Sequence, residues 1–238
     1  MLETYPEKPK ISEVISIVAH QLKNPLSVIK GYLEVLLSGD FGKVNQKQEE
    51  YLSDALENVK IMRKIVGYLL DVSRIEEKKY IIKTKPVALG DLIQEVINDF
   101  SSLAKASNCE IFFKKPKDFP SVSADPLRIR QVIENLISNA LKYRSVGGGK
   151  LEIRLSKKNK EVVVSFKDNG IGIPKEEFKK VFSKFYRSES AVELDPSGTG
   201  LGLYISKAII KLHGGKIWFK INKDFGTTFY FTIPIAKI

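Results

Sequence analysis

Val162-Val163-Val164-Ser165-Phe166-Lys167-Asp168-Asn169-Gly170-Ile171-Gly172-Ile173 alternates apolar and polar side chains, then turns on two glycines. Alternation of this kind marks a half-buried strand. The glycines allow a tight turn and a close approach of backbone to a flat ligand. At the strand end, Asp168 is placed to accept a hydrogen bond from an exocyclic amine. Working outward, a second alternating run, Leu151–Leu155, is joined to the first by the lysine-rich turn 157–160, so the two form a hairpin. Val87–Leu89, Ile111–Phe113, Ile217–Ile221 and Thr228–Ile233 read as further extended segments. Asp91–Lys105 reads as a helix. Asp125-Pro126 puts a capping residue before a proline at the first helical position, which opens a helix running to Tyr143. A short helix from Pro174 and another over Leu203–Leu212 complete the set. Helices gathered on one face of a mostly antiparallel sheet make an α+β sandwich.

The first third of the chain reads differently. Ile11, Ile15, Val18, Leu22, Ile29, Leu33 and Leu36 recur at helical spacing, and Ser38, Gly39, Asp40 and Gly42 end the pattern. A second periodic stretch runs from Gln46 to Glu77, with Leu52, Val59 and Val66 seven residues apart and Ala55, Leu56, Met62, Leu69 and Leu70 between them. That heptad seam predicts a two-helix hairpin. One hairpin cannot bury a seam on both helices, so the expected state is a homodimeric four-helix bundle. The predicted boundary falls near residue 80, giving modules 1–80 and 81–238.

Composition bounds the chemistry. The 238 residues are 43% hydrophobic and 28% charged, the balance of a globular chain. The longest charge-free stretch, Phe225–Ala236, is too short for a membrane span of about 20 residues. No signal peptide opens the sequence. The single cysteine, Cys109, cannot form an internal disulfide and fits a cytoplasmic setting, whether of a soluble protein or of the inner part of a membrane-bound one. Residues 1–80 carry 12 Lys and Arg against 12 Asp and Glu, so the whole net charge of +11 lies in residues 81–238. A basic region attracts polyanions such as nucleic acid, anionic lipid or nucleotide phosphates.

Three more constellations can carry chemistry. Gly198-Thr199-Gly200-Leu201-Gly202-Leu203 runs into a helix, and its exposed N–H groups suit a phosphate. Its spacing is neither that of a dinucleotide fingerprint nor that of a Walker loop. Asn135, Asn139 and Lys142 are four and then three residues apart, on one helix face. Two amide oxygens and an ammonium there suit a metal–phosphate group, and the metal would be hard, oxygen-liganded Mg²⁺. In the first helix His20 lies about 200° around from the seam and therefore faces solvent, with Asn24 beside it and Pro25 predicted to bend the helix. Imidazole is a competent nucleophile at neutral pH. Each motif alone has a bland explanation as a loop, a hinge or a solvated face.

Their order along the chain does not. From Ile11 to Pro234 the sequence resembles the sensor histidine kinases: a dimerisation and phosphoacceptor hairpin followed by an ATP-binding domain of the gyrase/histidine-kinase type. Ala19–Leu26 resembles the family's H box, Asn135–Tyr143 its N box and Lys167–Pro174 its first glycine box. Val181–Arg187 resembles the F box, Gly198–Gly215 the second glycine box and Gly226–Pro234 the closing strand. The resemblance implies that His20 is phosphorylated from ATP and passes the group to an aspartate on a response regulator receiver domain. It also implies dephosphorylation of that partner with Asn24 orienting water. Asp168 would hold the adenine amino group with Thr227 helping through water, and Asn139, with Asn135 near it, would ligate Mg²⁺. Lys142 would touch the phosphates, while Tyr143, Gly170, Gly172 and Ile173 would line the base and sugar pocket. Arg187 and the run from Gly198 through Leu203 would belong to a flexible lid over 187–199, anchored by Phe182 and Phe185. Neither nucleic acid nor, within this chain, a membrane is an expected partner.

One position departs from the pattern. The family usually has Glu or Asp after the phosphoacceptor, where it can take the imidazole proton. Here Gln21 stands there, and an amide cannot take a proton. Two rivals therefore stay in view. One is a nucleotide-binding scaffold that has lost kinase activity. The other is a non-kinase ATPase of the same superfamily, which leaves His20 unexplained and expects Glu where Asn135 stands.

Overall fold

The computed structural model describes residues 11–236, and the chain divides into two compact units, Met1–Tyr80 and Ile81–Ile238. The first is a helical hairpin of α1 (Ile11–Ser38) and α2 (Gln46–Glu76). Helix α1 continues through Pro25. The turn between the helices uses Gly39 and Gly42, both at positive φ. Asn45 then opens α2 with a capping box: its side chain accepts the Gln48 N–H, and the Gln48 side chain accepts the Asn45 N–H, each at 2.9 Å.

Inside the hairpin, Ala19 and Leu26 of α1 meet Val59 and Val66 of α2, with Leu33, Leu69 and Leu70 packed against them. Val59, Val66, Leu69 and Leu70 of the predicted α2 seam thus supply the interior, whereas Met62, also read as a seam residue, is 43% exposed. The α1 stripe is wider than the interior needs. Val18, Leu22, Ile29 and Leu36, all members of it, are 41–50% exposed, and Val14, Ile17, Val28 and Tyr32 extend that apolar face. The side chain of Ile11, first in the stripe, lies outside the described residues, as do residues 1–10 of the predicted first module.

The second unit is a sandwich. Its five-stranded sheet has the order β2-β4-β5-β7-β6, built from β2 (Cys109–Phe113), β4 (Gly149–Lys158), β5 (Glu161–Asp168), β6 (Ile217–Ile221) and β7 (Thr227–Pro234). A separate pair, β1 (Lys85–Val87) with β3 (Val122–Ala124), is antiparallel. The β4–β5 hairpin, β5–β7 and β6–β7 pairs are antiparallel, whereas β2 runs parallel to β4. Helices α3 (Leu89–Asp99), α4 (Ser101–Ala106), α5 (Pro126–Lys142) and α7 (Gly202–Leu212) accompany the sheet. The core is filled by Ile129, Ile133 and Ile137 of α5, Ile205 and Ile209 of α7, and Leu151, Ile153, Phe166 and Phe231 of the sheet, each no more than 1% exposed.

Five details differ from the sequence reading. The extended segment expected over Val87–Leu89 is β1 at Lys85–Val87, and Leu89 already opens α3, because the chain turns into the helix at Ala88. The short helix expected from Pro174 is a single 3-10 turn, Lys175–Glu177. The helix expected over Asp91–Lys105 is two helices, because Phe100 takes ψ near 0° and caps both. Strand β3, three residues long, carries too little pattern to be seen in advance. The span 187–199, rich in Ser, Pro and Gly and expected to be a loop, contains helix α6 (Glu189–Leu194), opened by Ser188, whose Oγ accepts the Ala191 N–H. Asp125 caps α5 as expected, its Oδ1 accepting from Leu127 and Arg128 N–H.

Candidate nucleotide and phosphoacceptor sites

Helix α5 is the axis around which the motifs of the second unit gather. At its C-terminal end the Tyr143 carbonyl accepts the Ile171 N–H at 3.0 Å, which ties the double-glycine turn to the helix. A side chain at Gly170 would clash with that same carbonyl, so the close approach requires glycine there. Gly172 takes φ +76°. Asp168 closes the turn: its Oδ1 accepts the N–H of Gly170 at 2.9 Å and of Thr227 at 3.0 Å. Burial pushes the Asp168 carboxyl above its ordinary range, against the pull of those two N–H groups. Ile173 and Tyr143 are half-buried beside this turn, and Thr227 is buried.

Two residues that were not singled out in the sequence complete the turn. Asn222 donates its Nδ2–H to the Asp168 carbonyl at 2.8 Å and accepts from Thr228 Oγ1 at 2.6 Å. A side chain on Gly226 would run into the Asp168 carbonyl. Both lie in a short reversal before β7, where a lone Asn and a lone Gly read as ordinary turn residues.

The polar face of α5 divides by role. Asn135 donates to Ser206 Oγ of α7 at 3.1 Å, and its Oδ1 sits where a side chain at Gly202 would be. It therefore fixes the start of α7 to α5. Asn139, one turn on, makes no side-chain hydrogen bond among the described residues, which leaves its amide oxygen available as a hard donor. Lys142 Nζ pairs with Asp195 Oδ2 at 2.7 Å. Burial would raise the Asp195 carboxyl, but hydrogen bonds from Lys142 and Ser197 hold it below its usual range.

The segment leading to α7 is held together by one guanidinium. Arg187 donates to the carbonyls of Pro196 at 3.3 Å, Gly198 at 3.0 Å and Ala191 at 2.6 Å, and also to that of Asp195. Arg187 thus braces its own segment. Gly200, at φ +68°, has no room for a side chain against the Phe185 backbone. Thr199 Oγ1 accepts the Leu201 N–H at 3.3 Å, Leu201 is buried and Leu203 half-buried. Of the two predicted anchors, Phe182 packs on Phe219 and Phe229. Phe185 does not: a left-handed φ of +60° turns its ring outward, and its backbone makes the contact with Gly200.

In the hairpin, His20, Gln21 and Asn24 are all exposed on α1. Among the described residues no group of three or more His, Cys, Asp or Glu could hold a metal, and no helix is long and apolar enough to cross a membrane.

Comparison with known proteins matches two families along the chain. Residues 10–78 match the His Kinase A (phospho-acceptor) domain, and residues 124–237 match the histidine kinase-, DNA gyrase B- and HSP90-like ATPase family. The sensor histidine kinase WalK of Bacillus subtilis is 34% identical over 226 residues, covering 94% of this chain and 37% of WalK. The adaptive-response sensory kinase SasA of Synechocystis is 31% identical, covering 94% of this chain and 59% of SasA. The chain therefore spans between about a third and three fifths of these relatives. Among solved structures, the catalytic domain of histidine kinase ThkA, in a nucleotide-free form, is 34% identical with a TM-score of 0.57, covering 66% of this chain and all of that one. Full-length ShkA in complex with AMPPNP has a TM-score of 0.77 at 23% identity, covering 95% of this chain and 46% of ShkA, which speaks for the fold.

Proposed function

This chain belongs to the sensor histidine kinases of two-component systems, and from that premise we propose that it phosphorylates His20 from ATP and passes the phosphoryl group to an aspartate on a response regulator. The observation that carries the reading is the pair of sites in one chain: an exposed His–Asn face on α1 and an Asp168 turn locked to α5.

Asp168, fixed by two backbone N–H groups, accepts the adenine amino group, with Thr227 assisting through water. Tyr143 and Ile173 flank the base and sugar. Lys142 attracts the phosphates, and the N–H groups of Thr199, Gly200, Gly202 and Leu203 at the start of α7 are the ones offered to them, since those of Gly198 and Leu201 already donate to the Asp195 carbonyl and Thr199 Oγ1. Asn139 fits Mg²⁺, a hard cation that keeps most of its waters and needs few protein ligands; Asn135, whose amide already bonds Ser206, orients α7 beside it. When bound, Mg²⁺ neutralises charge on the phosphates during transfer.

A ring nitrogen of His20 attacks the γ-phosphorus in line; the N–P bond forms as the bond to the β,γ-bridging oxygen breaks, and ADP leaves. Positioning and charge neutralisation carry most of such a step. The proton of the other ring nitrogen passes to solvent, because Gln21 can accept a hydrogen bond but not a proton. In the second step a receiver aspartate oxygen takes the phosphoryl group from His20. Asn24, beside His20, orients water for the reverse duty of dephosphorylating that partner. A second copy of the hairpin covers the exposed stripe of Val18, Leu22, Ile29 and Leu36, giving the four-helix dimer.

The deciding experiment is incubation with γ-³²P-ATP and Mg²⁺ beside His20→Ala. Label that is lost in acid, kept in alkali and absent from the variant is the expected result. Nucleotide binding with no covalent label would favour a scaffold instead, with Gln21 as the reason.

A further inference from the structure

The lysine assigned above to the nucleotide's phosphates already holds an anion. Lys142 Nζ lies 2.7 Å from Asp195 Oδ2, and the carboxylate is the less accessible partner, its side chain 14% exposed against 43% for the lysine. The surrounding turn is built to present that carboxylate. Asp195 Oδ1 accepts from Ser197 Oγ at 2.6 Å, and the Arg187 guanidinium gathers the carbonyls of Ala191, Asp195, Pro196 and Gly198 around it. Asp195 ends α6, and its own N–H closes that helix on the Ala191 carbonyl at 3.2 Å. The carboxylate therefore stands on a braced scaffold and offers the ammonium, a compact point charge, what a phosphate oxygen would offer.

We propose that Asp195 is an internal stand-in for the nucleotide's phosphates, keeping the 187–199 segment on Lys142 until ATP displaces it. The proposal rests on the reading of Lys142 as a phosphate contact. One ammonium cannot satisfy a carboxylate and a polyphosphate equally, so the two anions compete. Asp195 thereby positions Lys142 before binding and yields it on binding, and the segment is released when the phosphates arrive. Adenosine, which lacks phosphates, has nothing with which to compete.

The test is calorimetric binding of ATP and of adenosine to the full chain and to Asp195→Asn, Asp195→Glu, Lys142→Ala and the Lys142→Ala/Asp195→Asn double variant. Asn keeps the shape of Asp195 and leaves the Arg187 contacts, which go to backbone, in place. Asp195→Asn is expected to tighten ATP about two- to fivefold, the effect of a partly exposed ion pair, and to leave adenosine unchanged. Asp195→Glu stays near the parent. Lys142→Ala weakens ATP, and by a larger factor in the Asn background, because there the lysine has no prior partner. Amide hydrogen exchange over 189–198 is expected to quicken when ATP is added to the parent and to be already fast in Asp195→Asn.

Unchanged ATP affinity in Asp195→Asn, with Lys142→Ala still weakening ATP, overturns the competition and leaves Lys142 as a phosphate contact. No effect of Lys142→Ala on ATP in either background removes that contact and the stand-in with it. Parallel loss of ATP and adenosine in Asp195→Asn makes Asp195 a merely structural residue. Exchange over 189–198 that ATP does not quicken overturns the release.

Discussion

The two units bury their apolar residues to different degrees. The second closes on itself, with α5, α7 and five strands enclosing a core in which Phe166, Phe231 and the isoleucines of α5 are essentially inaccessible. Between its two helices the hairpin buries a small apolar cluster, Ala19, Leu26, Val59 and Val66, and leaves a longer apolar stripe on the outside of α1. Chemistry follows the same division. On the proposed reading the ATP-binding unit carries its adenine acceptor, its phosphate cation and its amide donors within itself, whereas the hairpin carries the nucleophile but, at position 21, no group that can take the proton. On that reading one unit is complete and the other calls for a second copy and a slower route for a proton.

The sharpest way to break that contrast is to charge the open stripe. Leu22→Asp with Ile29→Asp puts carboxylates where the dimer should bury side chains, at a cost of several kcal/mol per unpaired charge. The expected outcome is loss of the dimer by sedimentation and loss of helical signal, with ATP still bound by the second unit. A dimer that survives would mean that the stripe is not its interface. Next comes the proton. Gln21→Glu restores a general base, a device worth about 10²–10⁴-fold, and is expected to raise the initial rate of His20 labelling at least tenfold. An unchanged rate would show that proton removal does not limit this enzyme.

How far the contrast was legible in the sequence follows from the same physics. The α2 seam, the Asp125 cap and the β4–β5 hairpin were readable because period and capping are local. The division of the α1 stripe into an inner row at Ala19, Leu26 and Leu33 and an outer row at Val18, Leu22 and Ile29 was not, since both rows are apolar and only the partner's position separates them. In the nucleotide unit the chemistry-bearing types Asp168, Asn139 and Lys142 stood out. Asn222 and Gly226, which fix Asp168 from over 50 residues away, did not, because a turn residue announces its turn and not the distant carbonyl it meets. Helix α6 was missed for a related reason: the Arg187 brace that holds it is a set of contacts to carbonyls, which every residue type has.

A smaller effect sharpens the picture of the complete unit. Asp168→Asn removes the charge that the adenine amine meets on the proposed reading, and a hydrogen bond to a charged group is worth about 1.5–3 kcal/mol. ATP binding should weaken roughly ten- to a hundredfold at neutral pH, with the fold preserved. The pH profile adds a second arm. Burial raises the carboxyl's pKa, and the amine prefers its ionised form, so parental affinity should fall with acidification at a higher pH than an ordinary aspartate would give. Calorimetry between pH 7 and pH 5 should show that decline in the parent and not in the variant.

The smallest expected effect concerns His213, the one buried histidine among the described residues. Its Nε2 accepts the Asp125 N–H at 2.9 Å, and its Nδ1–H donates to the Ile209 carbonyl at 2.8 Å. The ring therefore joins the end of α7 to the cap of α5 in its neutral form, and protonating Nε2 would set a second N–H against the Asp125 donor. Burial lowers its pKa, only partly opposed by the Ile209 carbonyl and the Asp125 charge. For a base whose folded pKa is depressed, the stabilisation is present above the unfolded value of about 6.5 and is lost as pH falls toward the folded one. Urea unfolding of the second unit should accordingly lose on the order of 1 kcal/mol between pH 7 and pH 5, with hairpin helicity as an internal control. His213→Gln, which keeps an acceptor but cannot titrate, should flatten that slope. A slope equal in parent and variant would move the acid sensitivity elsewhere in the unit.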